Sequence, residues 1–236
     1  MFVNADEKQT DFLDNLATKL NYQRHSLAKE PFVPQNKVNK EHMQGLSQDE
    51  LCQIAQKQSA DIYTDFKLVT KDNLAKVLEE VITAKGSGKV IVPNDQRFAQ
   101  YDLTKVCQAH DTYVWQAGED KRTDNIQAAN QANVGIAFGE YLLAESATMV
   151  LETNPGHGRS LHFLPQHFIA IVPKSQIVPR ITQATQAYNQ KVLQGEKIGT
   201  NLSFISGPSN SGDIEMILVV GVHGPLSMTY LVIEDA

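Results

Sequence analysis

The sequence predicts an α/β fold built on a mostly parallel sheet. Two observations lead there. Segments whose apolar residues recur every three or four positions alternate with short β-branched apolar runs, and glycine or proline clusters separate the two kinds. Strands separated by helices imply a parallel sheet covered on both faces.

The elements follow in chain order. Phe12, Leu13, Leu16, Ala17 and Leu20 place one apolar stripe on a helix over 10–29. Pro31 and Pro34 break it, because each disfavours helix in the residue before it. Residues 1–45 therefore read as an N-terminal helical extension and linker packing on a neighbouring surface, and residues 46–236 as the main domain. Ser47 and Glu50 form a capping box that opens a helix through Leu51, Ile54 and Ala55. A second amphipathic helix is expected over 71–85, carrying Leu74, Val77, Leu78, Val81 and Ile82. Gly86-Ser87-Gly88 ends it, and a buried strand follows over 89–93.

Residues 112–117 are β-branched and aromatic and suit a strand. A helix over 124–133 then leads into a glycine-bounded turn at 135–139. Strands are expected over 147–153, 160–164, 168–172, 202–206 and 226–233. Between them the pattern predicts a helix over 177–193, with Pro179 in its first turn, and a short buried helix over 213–220.

Composition narrows the function classes. A hydrophobic share of 42% excludes a disordered chain, and a net charge of −6 gives no basic footprint for nucleic acid. The apolar run from Met216 to Val220 is far short of the roughly 20 residues that a membrane span needs. The N-terminus has no basic-then-apolar order, so no secretory signal is read and a cytoplasmic protein is expected. Cys52 and Cys107 lie 55 positions apart, with no CxxC and no ligand spacing. No metal site is assigned, and a cluster bound by this chain alone is excluded, because clusters take about four thiolates.

Gly86-Ser87-Gly88-Lys89 is not a phosphate loop. Thr83 stands where the first glycine should be, Val90 follows the lysine, and the order is helix then strand. His157, His162 and His167 are spaced by five, which turns them to different sides of a strand or helix. The stretch from Ser206 to Glu215 is more informative. An apolar strand enters a small-residue turn that opens the expected helix, and such amides can hold an anion such as a carboxylate or phosphate. Ser209, Asn210 and Ser211 add donors, while Asp213 and Glu215 equally suit a purely structural helix start. His223 in His223-Gly224-Pro225 reads as a base or as a turn residue.

The C-terminal half carries a resemblance. Ala144-Glu145-Ser146-Ala147-Thr148, Gly158-Arg159-Ser160 and Leu164-Pro165-Gln166-His167 come first. Ile205-Ser206-Gly207-Pro208-Ser209, Gly212-Asp213-Ile214-Glu215 and Gly221-Val222-His223-Gly224-Pro225 follow in order. Together they resemble the lactate utilization protein C family of LUD-domain proteins, closely over 134–232 and loosely over 45–133. The resemblance implies a three-layer α/β/α fold akin to the sugar-phosphate isomerase and CoA-transferase group. It also implies a component of a system converting L-lactate to pyruvate, beside partner proteins that carry the iron–sulfur clusters. Family members usually carry glycine where this chain has Ala147, and often arginine where it has Asn210.

On this reading a small carboxylate, lactate or pyruvate, is bound by the Gly207–Gly212 loop, with Thr148, Ser206, Ser209, Asn210, Ser211, Asp213 and Glu215 beside it and Arg159 as clamp. Glu145, His167 and His223 are the candidates for proton transfer. The alternative is a stand-alone isomerase- or CoA-transferase-like enzyme acting on a small carboxylate or phosphate ester, with Glu145 as nucleophile or base. A third is an assembly module whose motif residues only shape the fold.

Overall fold

The computed structural model describes residues 5–24, 33–214 and 217–235. By its contacts the chain divides into two units, Met1–Val38 and Asn39–Ala236. In the first, α1 spans Ala5–Lys19. It starts before the expected helix and stops ten residues short of it. Leu20 to Arg24 already form turn and coil, and Arg24 turns back to donate to Asp14 Oδ1 at 2.6 Å. Residues 25–32, which include the expected helix end and Pro31, lie outside the described residues. A one-turn α2, Val38–Glu41, stands at the border of the units.

The second unit runs α3 (Gln48–Asp61), β1 (Thr64–Thr70), α4 (Lys71–Ala84), β2 (Lys89–Val92), α5 (Arg97–Gln100), α6 (Thr104–Gln108) and β3 (Thr112–Val114). It continues through α7 (Arg122–Gln131), β4 (Ala132–Phe138), β5 (Tyr141–Leu143), β6 (Thr148–Glu152), α8 (Ser160–Phe163), β7 (His167–Pro173) and β8 (Ile177–Val178). The chain closes with α9 (Ile181–Leu193), β9 (Leu202–Ile205), β10 (Asn210–Ile214), β11 (Ile217–Val220) and β12 (Ser227–Glu234). The Ser47 capping box forms: its hydroxyl accepts from the Glu50 amide at 3.3 Å, and Glu50 accepts from the Ser47 amide at 2.8 Å.

A parallel six-stranded sheet, ordered β1-β12-β7-β4-β2-β3, forms the centre. Its strands alternate their side chains between two cores, as a pleat buried on both faces requires. Ile169, Ile171, Leu231 and Ile233 meet α4, α5 and α6 through Leu74, Leu78, Phe98 and Cys107. Phe168, Ala170, Met228 and Tyr230 meet α3, α7 and α8 through Leu51, Ala129 and Leu161. On that second face lies a four-stranded sheet, β8-β5-β6-β9, which contributes Leu142, Met149 and Leu151. Its far side is covered by α9 through Ala184 and Tyr188. The result is a three-layer α/β fold whose third layer contains strands as well as helices.

Four local expectations are corrected. The helix over 213–220 is instead the β10–β11 hairpin, with Asn210 paired to Val220 and Ser211 to Val219. Glu215 and Met216 at its tip lie outside the described residues. The strand over 160–164 is the single helical turn α8. The turn at 135–139 is largely strand β4, and its Gly135 is required by close packing: a Cβ there would stand 2.6 Å from the Leu161 carbonyl. Pro179 lies between β8 and α9 rather than inside a helix.

Candidate functional site

The loop after β9 is positioned from two sides. Pairing of Met149 with Ile205 sets β6 beside β9 and brings Thr148 to Ser206, whose hydroxyls stand 2.6 Å apart. The Ser146 hydroxyl lies 2.7 Å from that of Thr148, so three hydroxyls form a chain. From the central sheet, the buried Tyr230 hydroxyl donates to the Ala147 carbonyl at 2.8 Å and pins the 145–148 turn. Burial pushes the Tyr230 phenol up, opposed by the nearby Gly207 and Met149 amides. Gly207 has φ +73, and a Cβ there would lie 2.4 Å from the Ile62 carbonyl, so both conformation and space call for glycine.

Ser209 ties the hairpin base together. Its amide donates to the Pro225 carbonyl, its carbonyl accepts from Gly221, and its hydroxyl accepts from the His223 amide at 3.3 Å. Between this base and α8 lies a cavity of about 310 Å³. Ser206, Gly207, Ser209, Asn210, His223, His162, Phe163 and Met228 are among its walls. Asn210 Nδ2 points to the Pro208 carbonyl at 3.4 Å. His223 is exposed, whereas His162 is 1% exposed. Burial first, then His157 and Arg159, push the His162 imidazole down to about 3.

Arg159 stands elsewhere. It borders a cavity of about 440 Å³ with Trp115 and Arg122, and another of about 760 Å³ with Asn154, His157 and Lys197. The 154–158 loop covers the carboxyl ends of β2 and β3: the Asn94 amide donates to the Gly156 carbonyl, and a Cβ on Gly158 would lie 2.1 Å from the Trp115 ring. His157, pushed down to about 4 chiefly by burial, meets His162 edge-on with ring centres 5.5 Å apart.

Two further candidates are held apart from the loop. Glu145 accepts from Arg180 Nε at 2.5 Å, with His42 at 4.0 Å from its other oxygen. His167 opens β7, its Nδ1 is 2.8 Å from the Ser227 hydroxyl, and burial pushes its imidazole down. Neither borders the 310 Å³ cavity. Ser211 and Asp213 belong to the hairpin strand β10.

Cys52 lies in the core on the α3 side of the sheet and Cys107 in the core on the α6 side. Burial pushes the Cys107 thiol up to about 11. Two protonated thiols in separate cores do not fit the donor set of an iron–sulfur cluster. Among the described residues no group of three or more His, Cys, Asp or Glu side chains is arranged to hold a metal ion, and no helix is long and apolar enough to cross a membrane.

The LUD domain family model matches residues 52–233. A lactate utilization protein C of Macrococcus caseolyticus is 44% identical over 227 residues, covering 95% of both chains. Its counterpart in Bacillus subtilis is 39% identical over 237 residues, covering 97% of both. The chain belongs to the lactate utilization protein C family of LUD-domain proteins. A DUF162-family protein of Deinococcus radiodurans shares the fold, with a TM-score of 0.59 at 21% identity, over 80% of this chain and 99% of that one.

Ala147 takes up a backbone shape that favours glycine. Its φ is +48 and its side chain is fully buried, a left-handed conformation that costs an L-residue about 1–2 kcal/mol. Sequence reasoning weighed His162 only with His157 and His167 as a metal set, and passed over Arg180 and Lys197. The even spacing of the histidines was visible, but the turn that buries His162 came from the segment read as a strand.

Proposed function

We propose that this protein is a component of an L-lactate oxidation system that yields pyruvate, and that residues 46–236 carry this role while residues 1–45 serve as an extension. The observation that carries the reading is the near full-length likeness to proteins named for lactate utilization. Oxidising lactate removes the hydroxyl proton, the C2 hydrogen and two electrons, so an electron acceptor is required. We assign the acceptor to iron–sulfur partner proteins, because the donor set of this chain does not suit a cluster. The reading places the protein in the cytoplasm.

The 310 Å³ cavity is the assigned site for the small carboxylate. Ser206, Gly207, Ser209 and Asn210 border it, with Thr148 behind Ser206. His223 is the proposed proton-transfer group on its wall. Arg159, on the neighbouring cavities, is assigned to an outer approach rather than to a clamp on this loop. Ser211, Asp213 and Glu215 are assigned to the hairpin, and Glu145 and His167 to support of the surrounding elements.

The hairpin also presents Ile217, Leu218 and Val220 to solvent, with Ile217 61% exposed. Leu218 and Val220 share one face of β11 and Ile217 lies on the other, and exposed apolar side chains on both faces of a hairpin suit a protein partner. The reading is tested by deleting the gene and complementing it with wild-type or His223→Ala protein. Growth on L-lactate should be lost on deletion, restored by the wild type and not by a folded His223→Ala. Deletion without effect on that growth contradicts the reading, as does turnover of a small carboxylate or phosphate ester by the purified chain alone.

A further inference from the structure

His162 sits in a position that is unfavourable unless something binds there. It is 1% exposed, and among the described residues neither ring nitrogen has a hydrogen-bond partner. Its surroundings are aromatic edges: Phe163 at 4.4 Å between ring centres, His157 at 5.5 Å and Phe168 at 6.0 Å. Buried polar atoms are nearly always paired, and leaving one unpaired costs about 1–3 kcal/mol. The ring borders the 310 Å³ cavity.

The other walls define the ligand. Among the described residues none of those lining the cavity is Asp, Glu, Lys or Arg, which disfavours a multiply charged molecule. Ser206, Ser209 and Asn210 offer polar groups on one side, and Phe163, Phe204 and Met228 offer apolar contact. The Ser209 hydroxyl accepts from the His223 amide and keeps its own hydrogen to donate. Run from Ser146 through Thr148 to Ser206, one of the two directions that the distances allow, the hydroxyl chain leaves the Ser206 hydrogen to donate. Held neutral, the His162 ring has one nitrogen that donates and one that accepts, which is what an alcohol requires.

We infer that His162 is a ligand-contacting residue, and that the cavity binds a small 2-hydroxy acid whose hydroxyl pairs with the His162 ring while Ser206, Ser209 and Asn210 receive the carboxylate. The choice of lactate as that acid rests on the function proposed above; the need for a hydroxyl rests on the ring alone.

The test measures binding of L-lactate and of propanoate, the same acid without the hydroxyl, to the full chain by calorimetry. One hydrogen bond of ordinary strength gives the wild type about a tenfold preference for L-lactate. His162→Phe removes both nitrogens, should abolish that preference, and should raise the ligand-free thermal midpoint by about 2–4 °C. His162→Leu removes them in a smaller side chain if the phenylalanine does not fit. His162→Gln, which keeps a donor and an acceptor, should restore part of the preference. A wild type that does not distinguish the two acids overturns the inference. So does a nitrogen-free variant that keeps the tenfold preference. Growth on L-lactate is scored in parallel. Growth without binding preference overturns the role of His162 and leaves the lactate function standing. Preference without any growth phenotype leaves the role of His162 and removes the lactate function.

Discussion

His157 and His162 give the fold a pH dependence whose sign is fixed by burial. Free imidazoles titrate near about 6.5. Burial holds His157 near about 4 and His162 near about 3 in the folded chain. Below pH 6.5 the unfolded chain therefore binds protons that the folded chain refuses. Their contribution to stability is complete above that pH and declines as pH falls toward 4 and then 3. Each ring adds at most about 1.4 kcal/mol per pH unit across that window. Urea unfolding at pH 7, 6 and 5 should show the wild type losing stability below 6.5, and His162→Phe losing it less steeply by about one ring's share. An unchanged slope in the variant would contradict the assignment. The sequence exposed the even spacing of these histidines but not their burial. A single helical turn such as Ser160–Phe163 is too short to display a period, and its Leu-His-Phe-Leu run reads as readily as strand.

At the scale of elements, the site depends on Tyr230 joining two sheets. From the middle of β12 its hydroxyl reaches the Ala147 carbonyl in the 145–148 turn, and that turn sets Thr148 against Ser206. Tyr230→Phe leaves this carbonyl without its buried donor and should destabilise the fold by about 1–3 kcal/mol. The variant should also loosen the Ser206 loop, seen as faster amide exchange over 203–209 and not over β2. Equal exchange over 203–209 in Tyr230→Phe and the wild type would contradict the link. The helices α3 and α4 and the strands β2, β7 and β12 were legible because their apolar patterns are clean, as in Leu74, Leu78, Val81 and Ile82 of α4. The hairpin was not. An apolar run of five residues fits either a buried helix or a strand by period alone, and glycines at 212 and 221 bound both equally. β1 was missed for a different reason: at the sheet edge it buries only Thr64 and Val69, so charged residues interrupt its pattern. At 135–139, the glycines signalled close packing of a central strand rather than a turn.

At the scale of the whole molecule, the cavities lie on different edges of the parallel sheet. The 310 Å³ cavity has Met228, at the start of β12, in its wall, while the Arg159 cavities sit over the carboxyl ends of β2 and β3. Open α/β sheets usually bind ligands at the carboxyl edge, so the cavity at the amino edge is set by the loops and the hairpin rather than by the strands. The family motifs were readable in the sequence as an ordered set, but their distribution was not. Ser206 through Asn210 and His223 gather at one cavity, while Arg159 and Glu145 belong to other surroundings. The function proposed above, a small-acid site on a protein that works beside a partner, takes in that scatter and the exposed hairpin. Purification of the tagged chain from lactate-grown cells, with iron and labile sulfide assayed in the eluate, tests this most directly. The account predicts that cluster-bearing proteins co-purify in stoichiometric amount. A solitary, iron-free chain from cells that are oxidising lactate would contradict it.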